Sequence, residues 1–175
     1  MRLRLRRPLT GPDTDTGDRD IAMGLSLVTG GAGFIGSHIA EALVRRGAPV
    51  RILDNFSTGR RANLEPFRDR VELIEGDLND PRPLADAVRG VEVVFHQAAL
   101  PSVPRSIDDP LASLRASVDA TAALLVAARR AGVRRLIYAA SSSAYGNRSQ
   151  FPRVESILPE PLSPYAAGKL AAEYL

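Results

Sequence analysis

The chain has 175 residues, 45% of them hydrophobic and 25% charged, the mix of an ordinary globular domain rather than a disordered or collagen-like chain. Its 23 Lys+Arg against 20 Asp+Glu leave a formal charge of +3, a small surplus. Cysteine is absent and histidine occurs only as His38 and His96, which excludes disulfides, a thiolate nucleophile and cysteine- or histidine-rich metal sites.

Residues 1–22 differ in character from the rest of the chain. MRLRLRR alternates cations with leucine, and PLTGPDTDTGDRD is acidic and turn-rich. It has no apolar core of a secretory signal, and Asp13, Asp15, Asp18 and Asp20 are out of place in a transit peptide. We expect a disordered leader, with Met23 as an alternative start. The aspartates nearly cancel Arg2, Arg4, Arg6 and Arg7, so a nucleic-acid-binding arm is disfavoured. No apolar run reaches the roughly 20 residues that span a bilayer. The expectation is a cytoplasmic protein without nucleic-acid or membrane partners.

From Leu25 onward, short apolar runs alternate with segments of helical period. The runs Leu25–Thr29, Val50–Leu53, Val71–Ile74, Val91–Phe95 and Leu136–Ala139 suit strands buried on both faces. Helices are predicted over Gly33–Arg46, Pro83–Arg89 and Ile107–Ala131, with another from near Ser163. Gly47, Gly90 and Gly132 stand where helices stop. Gly59–Arg68 reads as either a short helix or a loop. This alternation predicts an α/β fold with a doubly wound parallel sheet of about five strands. The helical pattern PYAAGKLAAEYL runs to Leu175 without a stop signal. We therefore expect residues 23–175 to be a truncated Rossmann domain from a longer protein.

The first strand leads into Gly30-Gly31-Ala32-Gly33-Phe34-Ile35-Gly36, a G-x-x-G-x-x-G spacing between strand and helix. Gly30 permits the tight turn, Gly33 admits a pyrophosphate and Gly36 lets helix and sheet approach. The helix after the turn presents free N–H groups to the phosphates. His38 reads as a surface or packing residue. Asp54, ending the second strand, is placed to accept hydrogen bonds from a ribose, favouring NAD over NADP. Arg60 and Arg61 are the counter-argument, because arginine can hold a 2′-phosphate. Asp77 is predicted either to cap the next helix or to contact adenine.

After the fifth strand comes Ser141-Ser142-Ser143-Ala144-Tyr145, and later Tyr165-Ala166-Ala167-Gly168-Lys169. Tyr165 and Lys169 are four apart and share one helix face, about 6 Å apart along the axis. A nearby ammonium favours a phenolate, making the tyrosine a general acid/base. Lys169 is the only lysine in a chain that otherwise uses arginine for every cation. A compact ammonium that must reach a phenol and a ribose is not replaceable by a guanidinium.

TGGAGFIGSH, LDNFSTG, GDL, HQAA, SSSAYG and SPYAAGK together resemble the extended short-chain dehydrogenases/reductases, from about Leu25 to Leu175. The chain is similar to their NAD-dependent epimerase/dehydratase branch, which acts on nucleotide sugars. HQAALPSVPRS resembles the corresponding stretch of UDP-N-acetylglucosamine and UDP-glucose 4-epimerases. The resemblance implies that Gly30, Gly33 and Gly36, with the backbones of Phe34 and Ile35, bind the NAD pyrophosphate. It implies Asp54 and Asn55 at the adenosine ribose, Asp77 and Leu78 at adenine, and Ala98 and Ala99 beneath the cofactor. Ser141 matches the catalytic serine, with Ser142 as a second candidate, Tyr165 the catalytic base and Lys169 its partner. Ser102, Ser106 and Ser141 are implied at a UDP-sugar site. Ser142 and Ser143 stand where family dehydratases carry an Asp-Glu pair, which argues against dehydration. No metal is implied, and the complete protein is expected to be a homodimer through the long helices.

Overall fold

The computed structural model describes residues 24–175. The leader expected over residues 1–22 lies outside the described residues. Five strands form one all-parallel sheet: β1 (Ser26–Thr29), β2 (Val50–Asp54), β3 (Val71–Glu75), β4 (Val93–His96) and β5 (Arg135–Tyr138). Their spatial order is β3-β2-β1-β4-β5. The chain winds outward from β1 to β3, then crosses back to place β4 beside β1. That reversal opens a crevice at the C-terminal ends of β1 and β4, where open α/β sheets bind ligands.

Successive residues of β1 supply the two faces. Val28 packs with Ala40, Leu43, Val44, Ile52 and Phe67, under α1 (Phe34–Arg45). Leu27 packs with Leu53, Leu84, Val88, Val94 and Leu124 on the other face. There α2 (Pro81–Val88) and α5 (Ala120–Arg130) cover the sheet. Helices on both faces make the fold doubly wound, as the alternation predicts.

The element boundaries shift for identifiable reasons. The helix α2 begins at Pro81, not Pro83, because proline suits the first helical position. Gly59–Arg68 takes the short-helix alternative, in 3₁₀ form: Arg61–Asn63 and Glu65–Arg70. The helix predicted from Ile107 is broken. A short α3 (Val103–Asp108) stops at Asp109, whose φ of −136° and ψ of 81° lie outside the helical region, which a following proline disfavours. Asp109 then caps α4 (Pro110–Leu114) by accepting from Ala112 N at 3.0 Å. A π turn at Arg115–Asp119 joins α4 to α5.

Pro110–Arg130 is thus one helix of 21 residues with mean hydropathy 1.4, long and apolar enough by composition to cross a membrane. No uninterrupted apolar run within it reaches about 20 residues, as expected from the sequence. The apolarity comes largely from alanine and leucine; Arg115 and Asp119 interrupt it, and Ala120, Leu124 and Ala128 are buried in the molecule. A last helix, α6 (Pro164–Glu173), begins at Ser163, whose hydroxyl accepts from Ala166 N at 3.1 Å.

Candidate active site

A cleft of about 370 Å³ lies at the crevice between β1 and β4. Gly30, Gly33, Phe34, Ile35 and Gly36 form one wall, while Asp54, Asn55, Asp77 and Leu78 flank one end. Ala98 lies under the Gly30 turn, and Ala99, Tyr165 and Lys169 also line the cleft. The glycine turn, Asp54, Asn55, Asp77, Ala98 and the Tyr165–Lys169 pair therefore share one cavity.

The glycine turn is tight against Ala98. Gly30 has φ +66°, and a Cβ there would come within 2.6 Å of Ala98 N. A Cβ on Gly36 would overlap the Gly30 carbonyl oxygen. The first helical hydrogen bond of α1 runs from Ser37 N to Gly33 O at 3.0 Å. The N–H groups of Phe34, Ile35 and Gly36 precede it and lack intrahelical acceptors. No acidic residue occupies that first turn. Free donors, a positive dipole end and no opposing charge fit a diphosphate.

Asp54 is 7% exposed and fastens the turn to the second strand. Its Oδ2 accepts from Ala32 N and its Oδ1 from Phe56 N, both at 2.8 Å. Each carboxylate oxygen retains a lone pair for a ribose hydroxyl. Arg61 is held away from this group: it pairs with Glu75 at 2.5 Å and stacks over Phe56 at 4.2 Å. The Arg61 objection to a ribose-binding Asp54 is weakened accordingly.

Asp77 is not the cap of α2; Asp80 occupies that position. Asp77 instead accepts from Asn79 N at 2.8 Å, Asn79 Nδ2 at 3.0 Å and Asn55 Nδ2 at 2.7 Å. Burial pushes its pKa up, but these three hydrogen bonds outweigh burial and hold it below the usual carboxylate value. Asn55 and Asp77 thus form one polar edge of the cleft.

Lys169 is 4% exposed. Its Nζ donates to Ala139 O at 2.8 Å and lies 4.6 Å from the Tyr138 ring centroid. Burial lowers its pKa to about 8. The Tyr138 hydroxyl donates to Lys169 O at 3.3 Å. Burial, then the charges of Tyr165 and Glu173, push the Tyr138 pKa up to about 12. Tyr138 therefore stays a phenol near neutrality, and Tyr165 is the tyrosine that lines the cleft.

The serines divide. Ser141 Oγ lies 2.7 Å from Ser143 Oγ and accepts from Ser143 N at 3.2 Å, ordering the 3₁₀ turn Ser142–Tyr145. Ser142 is exposed. Ser102 caps α3 by accepting from Arg105 N at 3.2 Å. Ser106 is 1% exposed and donates to Val103 O at 2.7 Å. None of Ser102, Ser106, Ser141 and Ser142 is among the residues that line the cleft. Sequence reasoning missed Tyr138 as the ring under the ammonium and Ala116 and Ala120 as cleft residues. It also missed Thr29 and Thr121 beside His96. Their types carry no motif, so only their placement reveals them.

Comparison with known proteins agrees with this geometry. The model of the NAD dependent epimerase/dehydratase family matches residues 26–175. A UDP-glucose 4-epimerase of Mycolicibacterium smegmatis is 42% identical over 156 residues, 85% of this chain and 49% of that protein. The Thermus thermophilus UDP-glucose 4-epimerase, solved in complex with NAD, superposes with a TM-score of 0.78 at 42% identity, over 86% of this chain and 49% of that one. A dTDP-glucose 4,6-dehydratase from Streptomyces venezuelae superposes with a TM-score of 0.82 at 37% identity, with the same two coverages. The chain spans about half the length of the relatives it matches. With the family model spanning the entire described sheet and the cleft built from its motifs, this chain belongs to the NAD dependent epimerase/dehydratase family.

Proposed function

We propose that the protein of which this chain is the nucleotide-binding part epimerises a UDP-sugar at C4, with NAD as cofactor. The observation that carries the reading is the convergence of Tyr165 and Lys169 on the same cleft as the glycine turn. The turn N–H groups of Phe34, Ile35 and Gly36 hold the diphosphate of NAD, and Asp54 holds its adenosine ribose. When bound, NAD supplies a reversible hydride acceptor. Tyr165 takes the proton from the sugar 4-hydroxyl as the 4-keto sugar forms, and returns it when the sugar is reduced on its other face. Lys169 supplies a compact positive charge behind the site, fixed by the Ala139 carbonyl. Ser141 hydrogen-bonds the reacting oxygen, with Ser143 Oγ 2.7 Å from its hydroxyl to hold it in place. Ser142 and Ser143 in place of an Asp-Glu pair support epimerisation over dehydration.

A second reading comes from length: this chain is a cofactor-binding unit without turnover of its own. Incubating the product of the longest open reading frame with UDP-glucose and UDP-N-acetylglucosamine, with product analysis, tests the first. Tyr165→Phe in that protein is expected to lower kcat at least about a hundredfold while sparing NAD binding. Retained turnover rejects the assignment. NAD binding without turnover by the 175-residue chain supports the second reading.

A further inference from the structure

Beneath the cleft floor, a row of polar side chains crosses the core. Thr29 on β1, His96 on β4 and Thr121 on α5 are 0%, 1% and 2% exposed. His96 Nδ1 lies 2.6 Å from Thr29 Oγ1, and Nε2 lies 3.0 Å from Thr121 Oγ1. Thr121 Oγ1 lies 2.5 Å from Ser117 O in the π turn. At the other end, Ala98 N lies 3.4 Å from Thr29 Oγ1.

Buried polar groups take partners, and each has a fixed donor and acceptor capacity. A carbonyl only accepts, so Thr121 gives its one hydrogen to Ser117 O. Thr121 must then accept from His96, which puts the ring proton on Nε2. Nδ1 is left bare, and Thr29 donates to it. The Thr29 oxygen remains to accept Ala98 N–H. One direction satisfies all: Ala98 N–H to Thr29, Thr29 to His96, His96 to Thr121, and Thr121 to Ser117 O.

A second ring proton has no place in this row. It would face a Thr29 oxygen whose own hydrogen then loses its acceptor. The Tyr138 ring packs 5.7 Å from the imidazole, with the Lys169 ammonium against that tyrosine. Burial first, then the Lys169 charge, lowers the His96 pKa to about 3.

The row joins three pieces of the cleft. Thr29 immediately precedes Gly30, whose turn rests on the Gln97–Ala98 backbone. Ala98 lines the cleft. Ser117 and Thr121 lie beside Ala116 and Ala120, which line the cleft from the helix. A π turn within a helix often marks a functional site. We propose that His96, as a neutral Nε2–H imidazole, is the positioning residue that locks the glycine turn, the Ala98 floor and the π turn into a cleft ready for the cofactor. This rests on the family reading only for the choice of NAD as probe.

The test uses the 175-residue chain, labelled with ¹⁵N. Its histidine spectrum should show the His96 ring as the Nε2–H tautomer, with that proton protected from exchange over about pH 5 to 8. Thr121→Val should abolish the protection and weaken NAD binding about tenfold, the effect of one lost buried hydrogen bond. Thr121→Ser, which keeps the hydroxyl, should bind NAD within about twofold of the unmodified chain. If Thr121→Val does not fold, Thr121→Ala carries the same comparison. An Nδ1–H tautomer in the unmodified chain overturns the proposal. So does a folded Thr121→Val or Thr121→Ala whose Tm drops while its Kd for NAD is unchanged, since that is a purely structural role. Absence of NAD binding by the unmodified chain overturns the cofactor role while the tautomer still reports the row. Intact NAD binding without UDP-sugar turnover by the complete protein sinks only the epimerase reading.

Discussion

Lys169 concentrates the chemistry of the site in one buried charge. Its folded pKa of about 8 lies below the ordinary lysine value of 10.5, so the unfolded chain binds more protons between those values. Stability contributed through this group therefore rises with pH from about 8 to 10.5, and the full cost of the buried ammonium is present below pH 8. Lys169→Met should raise unfolding stability at pH 7 by on the order of 1–3 kcal/mol and flatten the rise above pH 8. Urea unfolding at pH 7 and pH 9.5 measures both; equal pH slopes for the two chains would reject the burial argument. The same substitution should remove turnover in the complete protein, as expected where function holds a charge in an unfavourable place. The uniqueness of this lysine is visible in the sequence. Its actual neighbours, the Ala139 carbonyl and the Tyr138 ring, are not, because β5 carries no motif pointing to them.

Among the elements, the β1–α1 turn and the broken helix after β4 make the clearest contrast. The turn is legible because its glycines answer backbone contacts that no other residue accommodates. Gly36→Ala would drive a Cβ into the Gly30 carbonyl. It should abolish measurable NAD binding by calorimetry, and an unchanged Kd would show that the turn does not cradle the phosphates. The helix is legible only as an apolar stretch. Its break at Asp109 needs the residue before Pro110 to be read as a boundary, and its π turn has no sequence mark at all. Asp109→Ala removes the cap on Ala112 N and should cost about 1 kcal/mol in denaturant unfolding, with NAD affinity little changed. Ser106, implied by the resemblance at a substrate site, has its hydroxyl on the Val103 carbonyl, a contact that the sequence does not mark.

At the scale of the whole molecule, the helices beside the cleft leave apolar side chains uncovered. Leu111 is 66% exposed, Val126 51% and Tyr174 75%. These lie on α4, α5 and just past α6, the elements expected to pair in a homodimer. Sedimentation equilibrium of the complete protein at tens of micromolar should find dimers, and Leu111→Glu should shift them toward monomer. A monomeric complete protein would reject pairing through these helices. Strand and helix alternation, the phosphate turn, Asp54 and the Tyr165–Lys169 pair can all be read in one dimension. Each arises from local periodicity or from short-range spacing, and both are properties of a linear chain. Strand order, the crevice beside β4, the engagement of Arg61 by Glu75 and the row from Ala98 to Ser117 require the folded chain. Apart from the bond between Thr121 and Ser117, they join residues 14 to 69 positions apart. Which distant groups meet depends on how the layers pack, and burial then dictates where each proton must lie.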